Sequence, residues 1–264
     1  MVLPSAVRPV ARPSQRVLDP DARDRLAALA PRLTTGPLTR DRALAVHPAL
    51  HGVLPQGLPL GATVLSRGQA AVSAAFLLAA AGSQVGAWTG VAGLSAFGVQ
   101  AGAEAGIVLE RMVAVRAPSG AGAHDFGDDT WGQVLGALID GFDIVVFGAA
   151  ARVRPGTARR VQTRLAHRGA VLLLVGAPGP FSADIEVVTR SSWEGLGQGH
   201  GHLRARRMEV AVEGRRIRRP RRDALWFPGF EGQIGRVDEG EGGARVSVAA
   251  TAPIHTAVPM RRTG

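Results

Sequence analysis

The segment spanning residues 61–73 has the clearest outline of a chemical site, because an apolar strand is followed by a glycine and then a helix. A phosphate-binding loop has this outline and carries the pattern Gly-x4-Gly-Lys-Ser/Thr. Its backbone N–H groups cradle phosphate, its lysine neutralises charge and its hydroxyl holds magnesium. Here Gly68 is retained, but no lysine follows it. Two interpretations stay open, a structural strand-to-helix turn and a weak anion site at the helix N-terminus.

A second group of residues that could do chemistry is a run of arginines towards the C-terminal end. Only Glu209 and Glu213 bring negative charge into this run, and Trp226 and Phe227 follow it. The planar guanidinium group suits phosphate and carboxylate, and nearby aromatic rings suit base stacking or a protein anchor. The candidates for binding a partner or nucleic acid are Arg204, Arg206, Arg207, Arg215, Arg216, Arg218, Arg219, Arg221, Arg222 and Trp226. The alternative is a solvated edge hairpin in a chain that favours arginine throughout.

The composition excludes several kinds of site. The chain has no cysteine, and all 31 of its basic residues are arginine. Disulfides, thiol catalysis, cysteine-bound zinc and Schiff-base lysines are therefore ruled out. His200 and His202 lack a third ligand, so we predict no metal site. A net charge of +10 favours polyanions or acidic partners, and the absence of a long apolar run or leader segment predicts a cytoplasmic protein.

The elements that must position these residues follow from the hydrophobic pattern. From residue 62 to residue 175, apolar runs alternate with helical stretches, which predicts an α/β fold with a mostly parallel sheet and flanking helices. The predicted strands span residues 62–65, 85–91, 111–115, 143–147 and 170–175, and the predicted helices residues 69–81, 94–103, 128–140 and 156–167. Gly82 is expected to end the first helix. Strands at 185–189 and 203–212, joined by a glycine-rich turn at 194–201, predict a C-terminal antiparallel hairpin at the sheet edge.

These patterns divide the chain into four predicted parts. Residues 1–16 are expected to be a flexible arm, and residues 17–54 an N-terminal helical segment that begins near Asp19. Residues 55–228 form the α/β domain, with the basic hairpin at its C-terminal end. Residues 229–264 lack apolar periodicity, so we expect a disordered tail.

Several short motifs along residues 43–228 resemble one known family. They are His47-Pro48-Ala49-Leu50, Leu54-Pro55-Gln56-Gly57-Leu58, Trp193-Glu194-Gly195-Leu196-Gly197-Gln198-Gly199-His200-Gly201 and Leu203-Arg204-Ala205-Arg206-Arg207. In addition, Leu58-Pro59-Leu60-Gly61 before a strand, with the strand–helix order that follows, resembles the RecA recombinase core. The chain resembles the ImuA/ImuA′-type accessory proteins of the mutasome, which are degenerate relatives of the RecA recombinase core. The resemblance implies that the α/β domain is RecA-like.

The sequence departs from an active recombinase at three positions that the resemblance identifies. The lysine after Gly68 is missing. Val91 lies near the position of the acid that would activate water, and Phe147 stands at the position of the acid that would hold the metal ion. Phosphoryl transfer needs all three of these groups. We therefore predict that the protein is not an enzyme and has no cofactor.

The resemblance implies a non-catalytic adaptor in DNA-damage tolerance that supports error-prone translesion synthesis. Its implied partners are an ImuB-type, Y-family-like protein and an error-prone DnaE-type polymerase, and DNA is left open as a further ligand. Such an adaptor would associate with the nucleoid at damaged DNA. Two alternatives stay open, a RecA-like NTPase with an unorthodox nucleotide site and a basic DNA-binding protein.

Overall fold

A nine-stranded, mostly parallel sheet with helices on both faces forms the body of the molecule. The computed structural model describes residues 43–94, 97–115, 128–148, 153–196 and 201–237. The strands are β1 (Ala43–Leu44), β2 (Leu58–Pro59), β3 (Thr63–Gly68), β4 (Thr89–Ala92), β5 (Met112–Val115), β6 (Ile144–Gly148), β7 (Val171–Val175), β8 (Ile185–Leu196), β9 (Gly201–Glu213), β10 (Arg221–Trp226) and β11 (Gly235–Arg236). The α-helices are α1 (Ala71–Gln84), α2 (Val99–Glu104), α3 (Asp128–Gly141) and α4 (Pro155–Arg168). Short 3-10 helices lie at Pro48–Leu50 and Leu109–Arg111.

The strand order across the sheet is β11-β10-β9-β8-β3-β7-β6-β4-β5. The strands from β8 to β5 run parallel to one another, whereas β9, β10 and β11 each run antiparallel to the preceding strand. Strands β1 and β2 pair separately as a small antiparallel sheet. The architecture confirms the predicted α/β class, the mostly parallel sheet with flanking helices and the C-terminal antiparallel extension.

The helices lie on opposite faces because the chain crosses the sheet in both directions. From β3 through α1 and α2 it moves towards the β5 edge, and through α3 and α4 it moves back to β7. Right-handed crossovers place the helices of these two halves on opposite faces. Accordingly, Phe76 of α1 shares one apolar core with Val146 and Leu173, whereas Trp131 of α3 shares the other with Val145.

Strands β6 and β7 match their sequence predictions closely because each is a continuous apolar run. Every residue of both strands is buried. A central strand of a parallel sheet packs against helices on both faces, so it needs apolar side chains at successive positions. This pattern identifies such strands more surely than an alternating one.

The predicted end of α1 and start of β4 are wrong. The helix continues through Gly82, which is buried, and ends at Gln84. A Cβ on Gly82 would lie 3.0 Å from Cδ1 of Ile144, so the glycine permits close packing of the helix on the sheet. Val85 therefore caps the helix and is exposed, and β4 begins four residues later, at Thr89.

The predicted C-terminal boundary is also wrong. Strand β10 begins inside the arginine run, and β11 pairs Gly235 and Arg236 with Trp226 and Leu225. Residues 229–237 therefore belong to the described structure rather than to a disordered tail. The hairpin strands also reach further than predicted, because β8 continues to Leu196. The turn assigned to residues 194–201 is correspondingly shorter.

Two predicted helical segments also differ from the structure. Residues 43–54 contain β1 and the 3-10 helix Pro48–Leu50 instead of an α-helix, and α2 begins at Val99 rather than near residue 94. The predicted arm at residues 1–16, the helix start at Asp19 and the tail from residue 238 lie outside the described residues.

His47 links the stability of the N-terminal segment to pH. Its Nδ1 accepts a hydrogen bond from Ala49 N (3.2 Å) at the start of the 3-10 helix. Burial, with a smaller contribution from His51, lowers the pKa of His47 below its usual value. The unfolded chain therefore binds this proton more readily than the folded protein does, and the free energy of unfolding should decrease as the pH falls below about 6.5.

Replacing His47 by asparagine should reduce this pH dependence, because asparagine keeps a side-chain acceptor that does not titrate. Urea unfolding at about pH 7.5 and about pH 5.5 measures the effect for the parent and H47N. We expect H47N to lose less stability than the parent over this interval. Equal losses in the two proteins would contradict the role of His47.

Candidate functional site

The connection between β3 and α1 is where a phosphate-binding loop would lie, and it consists of only Gln69 and Ala70. Strand β3 runs on to Gly68, which still pairs with Thr189 of β8. A phosphate-binding loop instead leaves its strand and wraps the anion in successive backbone N–H groups. Here the residues that precede Gly68 are extended strand and belong to the sheet.

Thr189 occupies the N–H groups of this connection. Its Oγ1 accepts a hydrogen bond from Ala70 N (3.1 Å), and its backbone oxygen accepts one from Gln69 N (3.2 Å). The same hydroxyl donates to the backbone oxygen of Arg67 (3.0 Å). We call this set of contacts the Thr189 clamp. The clamp uses protein oxygens where a bound phosphate would present its own.

The two positions at which acids would be needed hold buried apolar side chains. Val91 of β4 is 2 % exposed and Phe147 of β6 is 0 % exposed. The ring of Phe147 packs edge-on against Trp131, with a centroid distance of 5.2 Å. Strands β4 and β6 also come close together beyond this point, since a Cβ on Gly148 would lie 2.0 Å from Gly93 O. The carboxyl ends of β4 and β6 are therefore closely packed and belong to the hydrophobic core.

Two arginines of the predicted run bind Asp184, a buried carboxylate directly before β8. Nη2 of Arg215 lies 2.8 Å from Asp184 Oδ1, and Nε of Arg216 lies 3.3 Å from the same oxygen. The other carboxylate oxygen accepts a hydrogen bond from Thr63 N (2.9 Å). Asp184 therefore ties the β9–β10 turn to the start of β3. Sequence reasoning missed this residue, although a single acid directly before an apolar strand was a usable signal.

The other arginines of the turn and the first two residues of β10 face solvent. Within the described ranges, no acid lies within ion-pair distance of Arg218, Arg219 or Arg222. Arg221 makes a long contact from Nη1 to Gly52 O (3.5 Å). Arg207, further back in the hairpin, pairs with Glu209 at 2.6 Å. The candidate arginines therefore differ in their contacts and do not lie on one common binding surface.

Arg206 is half-buried between aromatic rings and fastens the hairpin to α1. Its Nε donates to Phe227 O (2.6 Å), and its Nη2 donates to Ser73 Oγ (2.8 Å). The guanidinium lies 5.6 Å from the ring centroid of Trp193 and 5.4 Å from that of Phe227. Burial lowers the pKa of Arg206, and the two rings supply cation–π stabilisation. Arg206 is therefore placed as a packing residue more than as an exposed contact.

We call three residues of the extension the hairpin patch: Phe230, Arg204, which contacts Phe230, and Leu203, which precedes Arg204 in β9. Leu203 and Phe230 are 49 % and 43 % exposed. The guanidinium of Arg204 lies 5.7 Å from the ring centroid of Phe230, which packs on Trp226 at 5.2 Å. Trp226 itself is buried beneath Phe230, so it is not positioned to contact a ligand directly. Phe230 was missed because the sequence assigned it to the tail.

The described residues offer no arrangement for a metal ion. In these ranges, no group of three or more His, Asp or Glu side chains is placed to hold one. His202 is exposed in β9, and His200 lies outside the described residues. None of the helices in the part of the chain that the structure describes is long and apolar enough to cross a membrane.

Replacing Gly68 by alanine should disrupt the Thr189 clamp. Gly68 has a φ of +104°, and a Cβ there would lie 2.0 Å from Thr189 O. We expect the free energy of unfolding to fall by about 2–3 kcal/mol, as measured by urea unfolding. The matched control is G156A in the first turn of α4, where a Cβ meets nothing within 4 Å and alanine is the better helix former. A G68A protein as stable as the parent would contradict the close approach of Thr189.

Comparison with known proteins finds a match for the part of the chain from β2 to β7. Residues 52–180, just under half of the chain, match the family described as the MT3502 N-terminal domain. A search of curated proteins found none that matches the chain. The family match begins before β2 and ends between β7 and β8. It therefore includes the β3–α1 turn and leaves the antiparallel extension, with all the candidate arginines, outside the matched region.

Proposed function

We propose that this protein is a non-catalytic, RecA-like adaptor in DNA-damage tolerance. In this role it supports error-prone translesion synthesis by binding an ImuB-type partner and a DnaE-type polymerase in the cytoplasm. The assignment to the ImuA/ImuA′ type rests on the motifs that resemble that family. The single structural observation that carries the non-catalytic part is the Thr189 clamp on the β3–α1 turn.

The clamp favours an adaptor over an NTPase with an unorthodox site. Two N–H groups at the turn already bind oxygens of Thr189, so a phosphate there would have to displace them. Displacement would open the last residue pair between β3 and β8, at Gly68. Val91 and Phe147 add no acid to activate water or to hold a metal ion.

The hairpin patch is the surface that we propose for the protein partner. Within the described residues, five large apolar side chains are exposed, and two of them, Leu203 and Phe230, belong to this patch. Aromatic rings and arginines are enriched among the residues that dominate binding energy at protein interfaces. Phe230 also rests on the buried Trp226, which holds its ring in place without a partner. The patch thus offers a pre-positioned apolar anchor beside a cation.

A nucleotide should leave the thermal stability of the purified protein unchanged. A ligand that binds only the folded form raises its stability by about 2.7 kcal/mol at one hundred times its dissociation constant. We expect the melting temperature to stay constant as ATP or ADP with Mg²⁺ is titrated to millimolar levels. An active P-loop ATPase provides the positive control. A melting temperature that rises with nucleotide concentration would reject the non-catalytic proposal and favour the unorthodox NTPase.

Truncation of the hairpin patch should weaken the complex with the ImuB-type partner. We expect F230A and L203A each to raise the dissociation constant, with F230A reaching about tenfold or more because an aromatic anchor is removed. The matched control is V85A, which truncates another exposed apolar residue, at the end of α1. Isothermal titration calorimetry measures the affinities, and thermal unfolding checks each fold. Wild-type affinity in both folded patch variants would rule out this surface.

A further inference from the structure

The exposed face of α4 carries a dense arginine stripe that the adaptor role does not use. Six exposed residues form two adjacent rows at helical spacing of four, and they are Arg160, Arg164 and Arg168 in one row and Arg159, Thr163 and His167 in the other. We call these six residues the α4 stripe. The opposite side of the helix packs on the sheet through Thr157, Ala158, Val161 and Leu165. The apolar packing of α4 on the sheet therefore does not involve the arginines.

The stripe places like charges beside one another. Residues four apart on a helix are neighbours, and like-charged pairs at this spacing are unfavourable by about 0.2–0.5 kcal/mol each. Asp140 of α3 is the acid that offsets part of this repulsion, because it binds Arg164 through both carboxylate oxygens and lies 3.7 Å from Nε of Arg168. Arg160 donates to Thr157 Oγ1 (3.0 Å) and has no ion pair with an acid among the described residues. For Arg159, the described residues supply no ion-pair partner.

The stripe and Asp140 line an open, shallow depression of about 630 Å³ on the protein surface. Asp140 contacts the guanidinium groups of Arg164 and Arg168 there and so restrains both side chains. Side chains that are already restrained lose less conformational entropy when a ligand binds.

A chain of hydrogen bonds connects the helix that carries the stripe with the β9–β10 turn. Gln162 of α4, which is not part of the stripe, donates to Thr63 Oγ1 (3.0 Å) and to Ser182 O (2.7 Å). Thr63 N in turn donates to Asp184, the carboxylate that holds Arg215. Helix α4 and the β9–β10 turn are therefore both tied to residues at the start of β3 and β8.

We propose that the α4 stripe binds the phosphate backbone of a nucleic acid. The arginines from Arg159 to Arg168 extend over about 13 Å of helix. One nucleic-acid strand carries a phosphate for about every 3.4 Å of its axis, so about four phosphates pass over the same length. Four arginines lie on this face.

The chemistry of the face favours a nucleic acid over an acidic protein. Protein interfaces depend on buried aromatic or aliphatic anchors, whereas backbone binding to nucleic acid depends on cations that displace counterions. The α4 stripe contains arginine, threonine and histidine and no large apolar side chain. The proposal goes beyond the adaptor role and does not rest on it, since it requires neither the ImuB-type partner nor the polymerase.

The test measures how the binding of an oligonucleotide depends on salt. Single-stranded DNA and a duplex of the same length are titrated with the full chain at several salt concentrations. The slope of log K against log salt is negative, and each lost phosphate contact reduces its magnitude by about 0.7 for a single strand and about 0.9 for a duplex. The variant R159Q/R160Q removes two charges that Asp140 does not hold, so we expect the magnitude of its slope to decrease by about 1.4 or 1.8, with weaker binding at every salt concentration.

Two further variants separate the α4 stripe from the general charge of the protein. R159K/R160K keeps both charges and should keep the slope of the parent. R111Q/R236Q also removes two charges, one directly before β5 and one within β11, where Arg236 pairs with Asp223, and it should keep that slope. Thermal unfolding establishes that each variant is folded, and the single variant R159Q replaces the double one if that protein unfolds.

The remaining outcomes overturn the proposal. One is a parent protein that binds neither oligonucleotide at low salt, and another is an equal loss of slope in R159Q/R160Q and R111Q/R236Q. A third is unchanged DNA binding by R159Q/R160Q together with loss of the protein partner, which would make the stripe a site for an acidic protein. The adaptor proposal would survive each of these results, because its own test concerns Leu203 and Phe230.

Discussion

The pairing between β3 and β8 is the constraint on which the rest of the structure depends. Strand β3 has a parallel neighbour on each side, β7 in the body of the sheet and β8 at the start of the extension. Its last residue pair brings the backbone of Gly68 so close to Thr189 that only glycine fits there. Since β8 then continues to Leu196, the hairpin is an outgrowth of the central sheet rather than a separate domain.

The pairing of β3 with β8 as far as Gly68 is incompatible with a phosphate site at the β3–α1 turn. A phosphate site at the β3–α1 turn would need a free loop and free N–H groups, whereas a firmly held hairpin needs β3 and β8 to stay paired as far as Gly68. The hydrogen bonds of Thr189 and the contact between Arg206 and Ser73 both favour the second arrangement. In this protein the turn supports the antiparallel extension, on which we propose that the partner surface lies.

The sequence predicted the body of the fold well because its signals are local. Continuous apolar runs identified β6 and β7, and helical periodicity with acids in the first turn identified α3. Boundaries failed where a tertiary contact decides them. Gly82 looks like a helix end until its packing on Ile144 is known, and β10 is hidden because it begins with two arginines.

The candidate site was predicted less completely than the fold, because residue type does not reveal burial. Arginines of one run divide between the carboxylate of Asp184, an aromatic sandwich and open solvent. Tryptophan is common at binding interfaces, but Trp226 is buried and supports Phe230 instead. Catalytic groups are proposed to be missing at Gly68, Val91 and Phe147, and these positions were located only through the family resemblance. The residue types at these positions do not by themselves indicate that a catalytic group is absent.

The continuity of β8 from the body into the hairpin also determines how a mechanical load would pass through the molecule. Backbone hydrogen bonds of a sheet run across the strands, so a pull along the strand direction loads them together rather than one after another. Five residue pairs join β3 to β8, and the hairpin continues in line with them. A force applied to the hairpin by a bound partner would therefore act on the hydrogen bonds between β3 and β8 in shear, the geometry in which a sheet resists extension most strongly.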